Sequence, residues 1–250
     1  MPTIALVHGA FAESASWDAV IDRLYEAPAR AGGEHQGIGD VVAIANPLRS
    51  LSGDAAYVRD VLHAIDGPIV LVAHSYGGMV ISEAAATTDS VVAVVYVGAF
   101  APEHGESAFG LSTMFPGSSL GDALMAYPVA DGGDELVIRH ELYRDQFAAD
   151  VPVAQATRMA ATQRPVTLAA LSEGLATETP VWKRVPSWFV FGGDDRNIPA
   201  ALERFFAERA QSKGTHEIAG ASHALSVSQP DAVAATILDA VEATTFDRDR

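Results

Sequence analysis

The chain has 250 residues, which suits one large domain, or one domain with an insertion, and allows a sizeable buried core. Acidic residues number 32 against 16 basic ones, and the formal net charge of -16 argues against binding to nucleic acid, anionic membranes or strongly anionic substrates. Because cysteine is absent, neither a disulfide nor a thiolate metal site can form. The expected partner is therefore a neutral small molecule.

The two ends of the chain carry little functional signal. Residues 1–9 lack the basic lead and cleavage tract of a targeting peptide, and no apolar run approaches the roughly 18 residues that a membrane-spanning helix needs. The charged tail, residues 247–250, is expected to be solvated. We therefore expect a cytoplasmic protein with no membrane partner.

In chain order, apolar runs of strand length alternate with segments of helical periodicity. The predicted strands are 4–7, 41–45, 69–73, 91–97, 188–191 and 215–218. The predicted helices are 17–25, 55–65, 75–86, 199–210 and 230–241. Two of these helices begin with proline, a favoured first helical residue. The alternation predicts an α/β fold, with helices on both faces of a mostly parallel sheet.

The alternation stops between residues 100 and 183, where the chain becomes rich in glycine, proline, serine and charge. We interpret this range as a helical lid, with helices at 154–161 and 166–175, inserted into a core made of residues 1–99 and 184–250. The large apolar side chains of the lid could form its inner wall or a small core of its own. The predicted pocket residues are Phe11, Phe109, Met114, Phe115 and Tyr143.

Residues 70–78, VLVAHSYGG, place Ser75 between a buried strand and a helix. A serine on so tight a turn adopts a strained backbone conformation, which requires small residues two positions away on either side. Here those residues are Ala73 and Gly77. The pattern predicts that Ser75 is a nucleophile, although the same letters also occur in ordinary strand-to-helix loops.

A serine nucleophile needs a histidine base, which in turn needs an orienting carboxylate. In an open parallel sheet, such groups lie just beyond the carboxyl ends of the strands. His223 meets this condition, because it follows the last predicted strand and precedes the last helix. The other histidines considered are more typical of surface or packing positions: His35, His63, His104, His140 and His216.

The acid should follow the strand 188–191, where the turn offers Asp194 and Asp195. Spacing alone does not choose between them. A rival acid would follow the strand that ends at Val97, but the next carboxylate there is Glu103, which comes late in the loop. The three functional groups thus occur in the chain order serine, acid, histidine.

Four motifs together resemble the α/β-hydrolase family: His8-Gly9 after the first strand, the serine turn, the run Gly-x-x-Asp-x-x-x-Pro at 192–199, and the terminal histidine loop. The resemblance aligns the acid with Asp195 and leaves Asp194 as the fallback. It also implies that the backbone N–H groups of Ala10 and Tyr76 form an oxyanion hole.

Within that family, the chain is similar to the compact group of plant methyl-ester esterases and hydroxynitrile lyases, through Val-His-Gly-Ala, the helix at Trp17, and His-Ser-x-Gly-Gly-Met. The lyases typically carry threonine in place of Gly9, and lysine directly after the catalytic histidine, where this chain has Ala224. The resemblance therefore implies a serine hydrolase for small to medium uncharged carboxylic esters, acting through an acyl-enzyme on Ser75 with no metal or organic cofactor. The alternatives are a catalytically weak small-ligand receptor and, less favoured, a lyase. The natural substrate and the oligomeric state are left open.

Overall fold

The computed structural model describes residues 1–26, 38–130 and 132–246. The expectations for His35 and for the tail 247–250 concern positions outside these described residues. Up to residue 99, strands and helices alternate as β1 (Thr3–Val7), α1 (Asp18–Glu26), β2 (Val41–Ile44), α2 (Leu51–His63), β3 (Ile69–Ser75), α3 (Gly77–Ala84) and β4 (Val91–Ala99). Short 3-10 helices lie at Ser14–Trp17 and Ala85–Thr87.

The inserted range contains strands as well as helices. Its elements are α4 (Ala108–Ser112), α5 (Leu120–Ala123), β5 (Leu124–Pro128), β6 (Asp134–Ile138), α6 (His140–Phe147), α7 (Val153–Thr162), β7 (Val166–Thr167), α8 (Leu168–Ser172) and a 3-10 helix at Val181–Lys183. The helix predicted at 154–161 is present as α7. The helix predicted at 166–175 is wrong at both ends, because residues 166 and 167 form β7 and α8 ends at Ser172.

The chain then returns to the main sheet through β8 (Ser187–Gly192), α9 (Ala200–Arg209), β9 (Gly214–Ile218), α10 (Leu225–Ser228) and α11 (Pro230–Phe246). The six strands of this sheet lie in the order β2-β1-β3-β4-β8-β9, and every neighbouring pair is parallel. A separate sheet of three strands, β5-β6-β7, is antiparallel.

Helices cover both faces of the main sheet. In β1, Ile4 and Leu6 belong to the apolar cluster beneath α1 and α11, whereas Ala5 and Val7 belong to the cluster shared with α2, α3 and the insertion. Alternate residues thus face two covered sides, which explains why the inner strands β1, β3, β4 and β8 are continuous apolar runs in the sequence. The predicted fold class is confirmed. The boundaries chosen for the insertion stay a prediction.

Within the described ranges, no helix is both long enough and apolar enough to cross a bilayer.

Candidate active site

Ser75 is the last residue of β3 and has a φ of 56°. This backbone conformation is disfavoured for a residue with a Cβ. The pairing of β3 with β4 shifts register between His74 and Ser75, and α3 begins at Gly77. A Cβ at Gly77 would lie 2.6 Å from the Val7 carbonyl oxygen, so only glycine fits this close approach to β1. Sterics on both sides of Ser75 therefore fix the sharp turn.

The histidine of the C-terminal loop is paired with the acid of the turn after β8. His223 Nδ1 lies 2.6 Å from Asp195 Oδ2, and neither side chain is exposed. The other oxygen of Asp195 accepts the backbone N–H groups of Asn197 at 2.7 Å and Ile198 at 2.9 Å. Asp194, in contrast, is exposed. Asp195 is thus the carboxylate that the fold joins to His223.

This pairing determines which nitrogen of His223 can accept a proton. A carboxylate can only accept a hydrogen bond, so Nδ1 carries the hydrogen, and in the neutral imidazole Nε2 then presents its lone pair. Nε2 is buried and has no hydrogen-bond partner among the described residues. An imidazole in this state is suited to act as a general base.

His74 connects the serine turn to the histidine loop. Its Nε2 donates to the His223 carbonyl oxygen at 2.9 Å, and the centroids of the two rings are 4.6 Å apart. Burial lowers the pKa of His74 well below its usual range, so the ring stays neutral. Because Ser75 follows directly, His223 lies beside the serine turn. Among the described residues, no hydrogen bond joins the Ser75 hydroxyl to His223.

Further contacts hold the histidine loop from the side of the insertion. The Ser222 hydroxyl donates to Asp150 Oδ1 at 2.5 Å, and the Phe147 ring contacts the His223 ring edge-on, at 4.9 Å between centroids. The insertion therefore helps to position His223.

The loop after β1 runs against the serine turn. A Cβ at Gly9 would lie 2.5 Å from Ser75 Cβ and 3.1 Å from the Tyr76 nitrogen, so glycine is required for this approach. The Ala10 and Tyr76 backbone N–H groups have no protein acceptor within the described ranges. Two donors beside the serine could stabilise negative charge on a substrate oxygen.

His8 fixes this loop. Its Nε2 accepts the Asn46 backbone N–H at 3.0 Å, so Nδ1 must donate to the Gly9 carbonyl oxygen at 2.9 Å. The Asn46 side chain also donates to the His8 carbonyl oxygen at 3.1 Å. Burial lowers the pKa of His8, which keeps the ring in this neutral form.

A cavity of about 470 Å³ opens at Ser75, Ala10 and Tyr76. Of the predicted pocket residues, Phe11, Phe109 and Phe115 line it. Met114 and Tyr143 do not, and the expectation for these two is corrected. The Met114 side chain is 47% exposed, and the Tyr143 hydroxyl donates to the Phe11 carbonyl oxygen from behind the cavity wall.

The rest of the cavity wall comes mostly from residues that the sequence analysis did not select. The apolar ones with the largest side chains are Phe100, Leu120, Leu124, Leu136, Leu168 and Leu171. Asn197, in the turn that carries Asp195, also lines the cavity. Its position two residues after the acid is the signal that could have found it. No lysine, arginine or histidine is among the lining residues, so the cavity offers no countercharge for an anionic substrate.

The alpha/beta hydrolase family matches residues 4–236 of the chain. The chain belongs to this family. The match spans the serine turn, the acid turn and the histidine loop, and it confirms the resemblance that the motifs indicated.

Individual relatives carry esterase names. A carbendazim hydrolyzing esterase from Nocardioides sp. (strain SG-4G) is 33% identical over 117 residues, which cover 44% of this chain and 47% of that protein. The match thus spans about half the length of that relative. Among solved structures, polyneuridine aldehyde esterase is similar with a TM-score of 0.78 at 21% identity, covering 96% of this chain and 98% of the other. A methylesterase from Arabidopsis has a TM-score of 0.78 at 16% identity, covering 97% and 100%.

Proposed function

We propose that this protein is a serine hydrolase that cleaves small to medium uncharged carboxylic esters through an acyl-enzyme on Ser75. The observation that carries the proposal is the buried His223–Asp195 pair, whose Nε2 has no partner among the described residues and whose ring contacts His74, the residue directly before the strained Ser75. Packing does not explain this arrangement, because a buried imidazole nitrogen without a hydrogen-bond partner costs folding free energy.

In this mechanism, His223 Nε2 takes the proton of the Ser75 hydroxyl as its oxygen attacks the ester carbonyl. Asp195 holds the imidazole in the required tautomer and stabilises the imidazolium. The Ala10 and Tyr76 N–H groups bind the tetrahedral oxyanion. His223 then protonates the departing alcohol, and water, activated in the same way, hydrolyses the acyl-enzyme and restores Ser75.

The substrate class is inferred from the cavity and from the relatives. A mostly apolar wall without a cation favours uncharged esters, and a net charge of -16 disfavours anionic ones. The esterase names of the relatives support the same reaction type. A small-molecule ester as the partner, and residence in the cytoplasm, stay predictions.

The test is steady-state hydrolysis of p-nitrophenyl acetate and butyrate. We expect Ser75→Ala to lower kcat by at least about a thousandfold, because the nucleophile is lost while the fold is kept. Ser52→Ala, which changes an exposed serine of α2, is the matched control and should retain the wild-type rate. Equal rates for wild type and Ser75→Ala would remove the proposal. Stoichiometric labelling of Ser75 by a fluorophosphonate without ester turnover would instead favour a small-ligand receptor.

A further inference from the structure

More than half of the side-chain donors that line the cavity are occupied by protein acceptors. The Tyr76 hydroxyl donates to Asp54, the Ser112 and Thr113 hydroxyls donate to backbone carbonyls of their own helix, and the Ser119 hydroxyl donates to Gln146. Apart from the nucleophile, this leaves Ser118 and Asn197. In the described part of the chain, neither the Ser118 hydroxyl nor Asn197 Nδ2 has a hydrogen-bond acceptor.

Asn197 is held much more firmly than Ser118. Asn197 is only 3% exposed, and its Oδ1 accepts a hydrogen bond from Gln146 Nε2 at 2.8 Å. Gln146 Nε2 also donates to the Arg196 carbonyl oxygen at 2.8 Å, and Gln146 Oε1 accepts the Ser119 hydroxyl at 2.8 Å. Ser118 lies in a loop of the insertion and makes no such contacts.

This network decides which atom of the Asn197 amide faces the cavity. A backbone carbonyl can only accept, so the amide nitrogen of Gln146 must face Arg196. That nitrogen has a second hydrogen, which points at Asn197, and the atom receiving it must be the oxygen. Asn197 Nδ2 is therefore left without a protein partner at the cavity wall, although a buried amide donor normally has one.

We propose that Asn197 is a specificity-determining residue, whose Nδ2 donates a hydrogen bond to a neutral acceptor of the substrate other than the scissile ester. The substrates would then be uncharged esters that carry a second neutral acceptor, such as a ketone oxygen. This deepens the proposed function and rests on it, because it assigns a substrate feature to the same cavity. A preorganised donor favours the acceptor-bearing ester, since an apolar analogue would leave the amide unpaired.

The experiment compares matched esters that differ by one carbonyl group. In the acyl part, p-nitrophenyl 4-oxohexanoate and 5-oxohexanoate are compared with the hexanoate. In the alcohol part, the acetates of 5-hydroxypentan-2-one and pentan-1-ol are compared. The readout is the ratio of kcat/KM values within each pair. For wild type, we expect at least one keto ester to be preferred by about tenfold.

Two variants and one control assign the preference. Asn197→Ala removes the donor. Asn197→Asp keeps the oxygen that accepts the hydrogen bond from Gln146 and replaces only the donor nitrogen, with a carboxyl oxygen. Both should abolish the preference, and Ser118→Ala should retain it. The inference is overturned if the kcat/KM ratios are unchanged in the Asn197 variants, or if Ser118→Ala abolishes the preference. It is also overturned if the Asn197 variants slow both esters of each pair equally. The last result would mean that Asn197 acts only by positioning Asp195.

Binding separates this inference from the proposed function. In Ser75→Ala protein, dissociation constants for the same pairs should show the same preference, and a second change at Asn197 should remove it. If wild type hydrolyses no ester but this binding preference depends on Asn197, the esterase proposal fails and the present one holds. If esters are hydrolysed without any dependence on Asn197, the reverse is true.

Discussion

Ser75 keeps a left-handed backbone conformation, with φ at 56°, that β3 and α3 impose from both sides. For a residue with a Cβ, this conformation costs about 1–2 kcal/mol, whereas glycine adopts it freely. We therefore expect Ser75→Gly to have a free energy of unfolding about 1 kcal/mol higher than that of Ser75→Ala. Denaturant titration of the two variants would measure this difference.

The same two substitutions at Ser52, to glycine and to alanine, should give a stability difference of the opposite sign. Ser52 is an exposed residue within α2, where glycine is less stable than alanine by about 0.5–1 kcal/mol. If glycine were no more stable than alanine at position 75, the turn would not be strained in solution.

At the scale of single residues, the sequence predicted the groups whose requirements are local. Ala73, Ser75 and Gly77 follow from the sterics of one turn, and His223 follows from its place after the last strand. Asp195 could not be separated from Asp194 by spacing. That choice depends on which carboxylate turns inward to His223 and accepts the Asn197 and Ile198 N–H groups.

The pocket residues show where such reasoning ends. Phe109 lines the cavity although it is 59% exposed, whereas Tyr143 is buried behind Phe11. Hydrophobicity alone does not say which way a side chain of the insertion points, because its short elements are oriented by distant contacts. One of these is the 2.8 Å hydrogen bond from Gln146 to Asn197, 51 positions away.

At the scale of elements, the inner strands of the main sheet were predicted well because both of their faces are covered, which makes each an apolar run. The edge strand β9 is partly exposed and gives a weaker signal. The small sheet of the insertion lacks that signal. β5 is mostly exposed and reads Leu-Met-Ala-Tyr-Pro, and β7 has two residues. β5 pairs with β6, the next strand in the chain, but its exposed residues give no apolar pattern. β7 exists through the pairing of Val166 and Thr167 with β6, which is a long-range contact that no local pattern encodes.

The close packing of the start of α3 against the end of β1 fixes the position of the serine turn. An alanine Cβ at position 77 would lie 2.6 Å from the Val7 carbonyl oxygen and 3.1 Å from that of His8. Both are backbone atoms that cannot rotate away. We therefore expect Gly77→Ala to destabilise the protein by about 1–3 kcal/mol, as overpacking does, and to lower kcat/KM for p-nitrophenyl butyrate by displacing Ser75.

The control for this substitution is Gly121→Ala in α5, assayed for stability. A Cβ at Gly121 would meet no atom within 4 Å, so stability should stay the same or rise by up to about 1 kcal/mol. If thermal unfolding showed that the two variants lose equal stability, the contact between α3 and β1 would not be the cause.

At the scale of the whole molecule, an excess of acidic groups is combined with several buried titratable side chains that burial favours in their neutral form. His8 and His74 are buried, and burial lowers the pKa of each, so neither adds a proton to the folded protein near neutral pH. Glu203 is the acidic counterpart. It lies on α9 with 0% exposure, and both of its carboxyl oxygens lack a hydrogen-bond partner among the described residues. Burial first, and the nearby Asp195 second, raise the pKa of Glu203 well above its usual 4.5.

This raised pKa makes stability depend on pH in a predictable direction. In the unfolded chain, Glu203 loses its proton above about pH 4.5, whereas the folded protein retains it, so unfolding releases one proton. The contribution of this group to stability is therefore full below pH 4.5 and is lost as the pH rises towards the folded pKa, at a limiting slope of about 1.4 kcal/mol per pH unit.

Glu203→Gln and Glu203→Met both remove the titration, and Met also removes the unpaired polar atoms. We expect the free energy of unfolding of each variant, relative to wild type, to increase between about pH 5 and about pH 7, with Met the more stable of the two. Exposed Glu208 on the same helix provides the control, since Glu208→Gln should leave the pH dependence of wild type in place. Parallel pH profiles for wild type and both Glu203 variants in urea titrations would mean that Glu203 is ionised in the folded protein.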